Sequence, residues 1–302
     1  MNEKIDFTSF AEAQKNLRKE TAALMEQAVG RAWADWEEFP RLLDVLENFN
    51  RAGDTLGGGS STALLLYAQC PGAVQLGSFE FWKEENAYVR KGEKGLKVLV
   101  RSPNPKAKGK FFYNVEHRFD VSQTTAPAPP ALLDWADPLD IIKAIAKTCN
   151  FGIRYDDNLP DGAGAVYIPE LNEVRVRDGQ DREQMCHSLL TEFCHYQQAK
   201  ELGAGYQRNA DSNFVALCGA YVLARRFGVG AGLAHFQKES FPTLFAENPQ
   251  ERVGMVKNYL SQTIHTAGEV GRELHRGIRE LERDCGEIIA LPRRGQREAA
   301  AI

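Results

Sequence analysis

The chain has 302 residues, of which 43% are hydrophobic and 26% charged, and its formal net charge is −4. This length and balance predict two globular domains and give no global basic signature for nucleic-acid binding. The sequence offers neither a secretion signal nor about 18 consecutive apolar residues to span a bilayer, and its six cysteines form no CxxC pair. We therefore expect a cytoplasmic protein with reduced thiols and no membrane association.

The N-terminal region predicts helices followed by a small antiparallel sheet. Apolar residues recur at three- and four-residue steps over residues 7–50, which is typical of amphipathic helices, and the glycine-rich stretch 53–61 interrupts that pattern. Residues 88–90, 96–100 and 111–115 are short β-rich runs separated by turns that contain Gly and Lys. We predict that residues 1–121 form the first domain.

The β-rich segment is strongly basic. Residues 88–118 carry nine Lys or Arg residues against Glu93 and Glu116, with aromatic residues between them. Aromatic rings stack on unpaired bases while cations follow the phosphates, so this pairing favours single-stranded nucleic acid. The alternative is that the lysines keep the sheet edges solvated and the aromatic residues form the core of the sheet.

The second half of the chain predicts a mainly helical domain with a β-hairpin. Residues 122–137 form a Pro-rich linker, and residues 138–228 form the second domain. Runs at 165–169 and 173–177 predict the hairpin, Asp181 caps a helix that extends to about residue 200, and a helix over residues 210–227 ends at Gly228. The predicted fold class is therefore α+β.

A helical tail, residues 229–302, completes the prediction. Between residues 253 and 288, apolar side chains recur close to every 3.5 residues. This face either packs on its own domain or forms the seam of a homo-oligomer.

The predicted helix that Asp181 caps contains an incomplete metal-binding motif. In HExxH peptidases two histidines bind zinc and the glutamate activates water, whereas this chain has Thr191 in the first histidine position, followed by Glu192 and His195. We interpret Glu192 as a vestigial general base and His195 as a vestigial ligand. A shifted zinc site that uses His195, Cys194 and Cys218 is the alternative.

Four blocks occur in order in the N-terminal half: Tyr67–Gln69 before Pro71, then Trp82, then "RKGEKG" over residues 90–95, then "FDVSQT" over residues 119–124. As a set they resemble the N-terminal domain of ArdC-like antirestriction proteins and their LtrC-like relatives on conjugative elements. The resemblance implies binding of single-stranded DNA. By position in these blocks, the implied binding residues are Trp82, Tyr88, Arg90, Lys91, Lys94, Lys97 and Arg101.

The same resemblance implies a zincin-like second domain, in which a glutamate ligand would fall at Leu217. Leucine cannot bind a metal, so we expect a pseudoenzyme without a cofactor. The predicted function is that of a DNA-binding accessory protein of a mobile element, whose partners are single-stranded DNA and proteins of the element or of restriction systems. The alternatives are an active zinc peptidase with an atypical site and a non-catalytic interaction scaffold.

Overall fold

The structure, a computed structural model, describes residues 7–50, 59–103, 109–127, 136–230, 236–244 and 248–285. Contacts divide the chain into two compact units. Unit 1 comprises Met1–Ala128 with Leu244–Asn258, and unit 2 comprises Pro129–Thr243 with Tyr259–Ile302. The predicted α+β class is confirmed, because helices accompany two three-stranded sheets. Within the described ranges, no helix combines the length and apolar character that crossing a membrane requires.

The described part of Met1–Ala128 in unit 1 combines four helices with a small sheet. Helix α3 is buried along most of its length because its sequence is apolar on every side, and it packs against α1, α2 and β2. The strands lie in the order β1-β3-β2, and both pairings are antiparallel. The elements are α1 (Phe7–Ala34), α2 (Phe39–Asn50), α3 (Ser60–Gln69), β1 (Leu76–Gly77), α4 (Phe79–Glu84), β2 (Leu96–Pro103) and β3 (Phe111–Asp120).

The register of β2 on β3 decides which side chains reach solvent. Leu96 lies opposite Arg118 and Pro103 lies opposite Phe111, so the two strands pair along the whole length of β2. Side chains alternate along a strand, and the buried set consists of Leu96, Val98 and Val100. The intervening positions form the outer face of the β2–β3 ribbon.

The predicted β run over residues 88–90 is not a full strand. It makes a single antiparallel bridge, Val89 to Thr124, and the chain then turns at Gly92, whose φ of 93° is in the region that glycine adopts most readily. The run is therefore a short arm that leads into the turn.

Unit 2 is built on two packed helices and a mixed sheet. Its elements are α5 (Pro138–Thr148), β4 (Gly152–Tyr155), β5 (Ala165–Ile168), β6 (Glu173–Val176), α6 (Arg182–Leu202) and α7 (Ala210–Phe227). The order is β4-β6-β5, with β5 antiparallel and β4 parallel to β6. The predicted hairpin is thus present, whereas the sequence pattern did not indicate β4.

The helix starts and ends in unit 2 agree with the sequence signals. The Asp181 carboxylate accepts a hydrogen bond from the backbone N–H of Gln184, and the Gln184 side-chain oxygen accepts one from the backbone N–H of Asp181, which completes a capping box. Gly228 ends α7 in the left-handed conformation.

The tail forms one long helix, α8 (Pro249–Cys285), which the division into units splits after Asn258. In unit 2 its side chains Val270, Leu274 and Ile278 are buried. Gly277 lies so close to α5 that a Cβ there would be 2.6 Å from the carbonyl oxygen of Ala144. This part of the tail therefore packs within its own chain, and a homo-oligomer through the tail stays a prediction.

Candidate functional site

The basic turn of unit 1, defined here as residues 90–95, is held by the "FDVSQT" block. The Arg90 backbone N–H donates to the carbonyl oxygen of Gln123 at 2.9 Å. The Gln123 side-chain amide donates to the Glu93 carboxylate at 3.0 Å and to the Lys94 carbonyl oxygen at 2.9 Å. Two blocks that are about 30 residues apart in the chain therefore form one structure.

Asp120 explains why the closing block is rich in polar residues. Its carboxylate is fully buried and accepts hydrogen bonds from the backbone N–H groups of Val74, Gln75 and Ser122 and from the Ser122 hydroxyl. Because four donors satisfy this buried carboxylate, its role is to hold the surrounding backbone in place. Asp120 therefore positions the turn but is not available to a ligand.

Gln69 has a comparable role at the edge of the sheet. Its amide donates to the Lys97 carbonyl oxygen at 2.9 Å, and its carbonyl oxygen accepts from the Lys97 N–H at 2.8 Å. The side chain thus imitates a neighbouring strand and fastens α3 to β2. Gln69 and Asp120 both belong to the sequence blocks, but the spacing of the blocks did not indicate that these two side chains hold the fold together.

Most of the predicted binding residues lie on the surface of unit 1. Tyr88 is 62% exposed, and Arg90, Lys91 and Lys94 are exposed around the turn. The Arg90 guanidinium donates to the Ser122 carbonyl oxygen at 2.8 Å, which fixes its direction. Lys91 and Lys94 are therefore exposed on the basic turn, and Tyr88 is exposed two residues before it.

The two remaining cations already have partners. Lys97 forms an ion pair with Glu20 at 3.0 Å, and the Arg101 guanidinium lies 3.6 Å from the centre of the Phe111 ring. An exposed ion pair contributes little free energy, so a phosphate can compete for Lys97. The Arg101 guanidinium lies over the Phe111 ring, so the two groups form one surface that is both aromatic and cationic.

Trp82 does not share the exposure of the other predicted residues. Only 2% of its surface is exposed, and its indole N–H donates to the Phe119 carbonyl oxygen at 3.0 Å. It packs with Phe81, Val121 and Ala87 in the core of this region. Trp82 is therefore a core residue in this structure, and its ring is not accessible to a base.

Two aromatic residues of the basic segment, which its pattern offers for base stacking but the block positions do not select, lie on the outer face of the β2–β3 ribbon. Phe111 is 45% exposed and Tyr113 is 53% exposed, and Arg101 lies directly opposite Tyr113 in the register. Alternation along β3 could have identified them, because Phe111 and Tyr113 share a face. We call Arg101, Phe111 and Tyr113 the aromatic ribbon face.

The candidate site of unit 2 centres on Glu192, which α6 presents in a buried position. Its two carboxylate oxygens accept from the two terminal guanidinium nitrogens of Arg208, at 2.7 and 2.9 Å. One of these oxygens also accepts from the Tyr167 backbone N–H of β5 at 2.6 Å. Both oxygens of the carboxylate are thus engaged by protein donors, whereas a general base needs an oxygen that can accept a proton from water.

His195 is 1% exposed, and its Nδ1 lies 2.9 Å from the Tyr206 hydroxyl. Burial lowers the pKa of His195 to about 3, and the nearby charge of Arg208 acts in the same direction. The imidazole is therefore neutral at physiological pH. Burial also raises the pKa of Tyr206 to about 12, so its hydroxyl is protonated and can donate to the imidazole.

The residues around Glu192 and His195 do not fit a metal ion. Thr191 supplies a hydroxyl that donates to the His187 carbonyl oxygen, and Leu217 on α7 has no donor atom. Cys194 and Cys218 are fully buried, which raises the pKa of both thiols and disfavours the thiolate that binds metal. Among the described residues, no group of three His, Cys, Asp or Glu side chains is arranged to hold a metal ion.

Comparison with known proteins finds a similar fold among solved structures. No protein-family model matches the chain, and no curated protein matches it. Two crystal structures of the antirestriction protein ArdC from plasmid R388 do match, one bound to Mn(II) and one metal-free. Each match has a TM-score of 0.53 and covers 84% of this chain and 97% of the other.

The sequence identities are 17% and 16%, so the match concerns the fold. The chain has an ArdC-like fold, and the resemblance inferred from the four sequence blocks is confirmed at that level. The match extends beyond those blocks, because it covers most of both chains.

Proposed function

We propose that unit 1 binds single-stranded DNA and that the protein is an antirestriction accessory protein of a conjugative element. The observation that carries this proposal is the exposure of Lys91 and Lys94 on a turn that the "FDVSQT" block holds by hydrogen bonds, with Tyr88 exposed two residues before that turn. An exposed ring and two exposed cations within seven residues of chain supply a stacking surface and phosphate contacts. The antirestriction role rests on the name of the structural neighbour.

The aromatic ribbon face extends this surface along the sheet. Strands advance about 3.3 Å per residue, so Arg101 lies roughly 23 Å along the strand from Lys94 if the chain between them is extended. Arg101, Phe111 and Tyr113 offer a second stacking position with its own cation. A single strand that follows the ribbon would contact the turn first and the ribbon face next.

Single strands fit this surface better than a duplex. Exposed aromatic rings have nothing to stack on when the bases are paired in a duplex, whereas unpaired bases offer their faces to such rings. The sequence-tolerant chemistry of ring and cation implies weak sequence preference. We therefore propose an unpaired strand of mixed sequence as the ligand.

The test is a titration of a fluorescent dT oligomer against the full chain, followed by anisotropy at several salt concentrations, with a duplex as control. Lys91→Ala combined with Lys94→Ala should reduce the slope of log K against log salt by about 0.7 for each phosphate that these lysines neutralise in the wild-type complex. Tyr88→Ala should cost about 1–3 kcal/mol if a base stacks on this ring.

Matched controls come from unit 2. Lys200→Ala removes an exposed cation, and Tyr155→Ala removes a tyrosine that is 68% exposed. Neither should change the affinity. Absent or salt-insensitive binding of the oligomer, or equal losses in both sets of variants, would refute strand binding by unit 1.

For unit 2 we propose a non-catalytic role, such as contact with proteins of the element or of a restriction system. Thr191, Leu217 and the pairing of Glu192 with Arg208 support this proposal. A fluorogenic casein assay with added Zn(II) or Mn(II) tests it. Proteolysis that is lost in Glu192→Gln would instead establish an active peptidase.

The antirestriction role has its own measurement. Plasmid DNA that enters a restricting host should survive more often when the host already expresses the protein, and Lys91→Ala with Lys94→Ala should abolish the gain. Equal survival with and without the protein would limit the proposal to strand binding.

A further inference from the structure

We propose that Arg208 is a built-in cation that takes the place of a metal ion in unit 2. Its guanidinium neutralises Glu192 and ties together the elements around it, so that the site keeps its structure without a divalent metal. This inference extends the proposed non-catalytic role of unit 2 and is independent of strand binding by unit 1.

The geometry of the ion pair is the first argument. Arg208 lies in the connection between α6 and α7, next to Asn209, which caps α7. Both carboxylate oxygens of Glu192 receive a guanidinium N–H, at 2.7 and 2.9 Å. Bidentate pairs of this kind have a fixed direction as well as a favourable charge.

The carboxylate also joins a third element. The Tyr167 backbone N–H of β5 donates to the same Glu192 oxygen that accepts from Nη1 of Arg208. One carboxylate therefore links α6, β5 and the α6–α7 connection. A loss of the cation would leave a buried anion at the point where these three elements meet.

The contacts of the α6–α7 connection are the second argument. Tyr206 hydrogen-bonds to His195 Nδ1 at 2.9 Å, and Arg208, two residues further along the same connection, pairs with Glu192. In an HExxH site the metal contacts the second histidine and the glutamate acts on metal-bound water. Here one connection supplies a partner to each of the two motif side chains, and the partner of the glutamate is a cation.

The same arrangement disfavours a divalent metal. A metal ion near His195 would be placed close to a fixed positive charge, and the carboxylate that could offset the repulsion is already paired. Threonine at position 191 and leucine at position 217 add no donor that could compensate. Thr191, Leu217 and Arg208 thus all disfavour the binding of a divalent metal.

Thermal unfolding of the full chain tests the inference. We expect the wild-type Tm to be unchanged by EDTA or by millimolar Mn(II). Arg208→Ala should lower the Tm by roughly 5–10 °C, because it leaves a buried carboxylate without its partner while the arginine itself is 35% exposed. Arg154→Ala is the matched control, since Arg154 also pairs with a glutamate but is 76% exposed, and it should change the Tm by less than about 2 °C.

A double variant separates loss of charge pairing from loss of packing. Glu192→Gln combined with Arg208→Ala removes the unpaired charge, so it should recover at least half of the Tm lost in Arg208→Ala alone. If the single variant does not fold, folding of the double variant provides the same evidence. A wild-type Tm that falls in EDTA, a loss in Arg208→Ala no larger than in Arg154→Ala, or no recovery in the double variant would overturn the inference.

Discussion

Units 1 and 2 both depend on positively charged side chains, but in opposite environments. Lys91 and Lys94 of unit 1 are exposed on a rigid turn, so their charge is directed to solvent. Arg208 of unit 2 donates to a carboxylate that is only 3% exposed. Burial of the partner therefore decides whether a cation is available to a ligand or serves the fold.

The same contrast holds for the residues that surround these cations. In unit 1 the buried carboxylate of Asp120 and the half-buried amide of Gln69 hold a surface that faces outward. In unit 2 the buried side chains of Glu192 and His195 have Arg208 and Tyr206 as hydrogen-bonding partners. Similar polar contacts thus support an exposed surface in one unit and satisfy buried groups in the other.

The largest effect should come from Trp82, which tests the division between core and surface in unit 1. Trp82→Ala should lower the free energy of unfolding by about 3–5 kcal/mol, because it removes a buried ring. Tyr88→Ala should change it by less than about 0.5 kcal/mol, since its side chain is exposed. Urea denaturation followed by circular dichroism measures both, and equal losses would contradict the division.

The next effect is the pH dependence that buried His195 confers on unit 2. Its pKa is about 3 in the folded chain and near 6.5 when unfolded, so the unfolded state binds more protons between these values. The stability contributed by the neutral imidazole is present above pH 6.5 and is lost as the pH falls from there toward 3. The slope attributable to this group is up to about 1.4 kcal/mol per pH unit.

His195→Gln isolates that slope from the titration of the carboxylates. Urea denaturation of both proteins between pH 4 and pH 8 should give a free energy of unfolding that declines less steeply for the variant below pH 6.5. Parallel curves would show that the imidazole is not held neutral by its surroundings.

The smallest effect should come from the ion pair between Glu20 and Lys97 in unit 1. Glu20→Gln should change stability by at most about 1 kcal/mol, because the Glu20 side chain is 58% exposed. It should also raise affinity for a dT oligomer slightly at low salt, since Lys97 no longer has a competing partner. A weaker complex would show that Lys97 does not contact the strand.

Much of the local structure could be predicted from the sequence. The start of α6 at Asp181, the end of α7 at Gly228 and the β5–β6 hairpin follow from signals within a few neighbouring residues. The parallel strand β4 did not follow, because a four-residue exposed strand has no periodic pattern and its partner lies about 20 residues further along the chain.

The sequence by itself determined the start of α6, the end of α7, the incomplete HExxH motif and the set of blocks that indicates an ArdC-like fold. The burial of Trp82, the exposure of Phe111 and Tyr113 and the pairing of Glu192 with Arg208 were decided by the tertiary structure. Caps and periodicity depend on residues three or four positions away, whereas the Trp82–Phe119 and Glu192–Arg208 hydrogen bonds join residues 37 and 16 positions apart. Contacts over such separations exist only once the chain has folded, because packing brings the partners together and removes water from them.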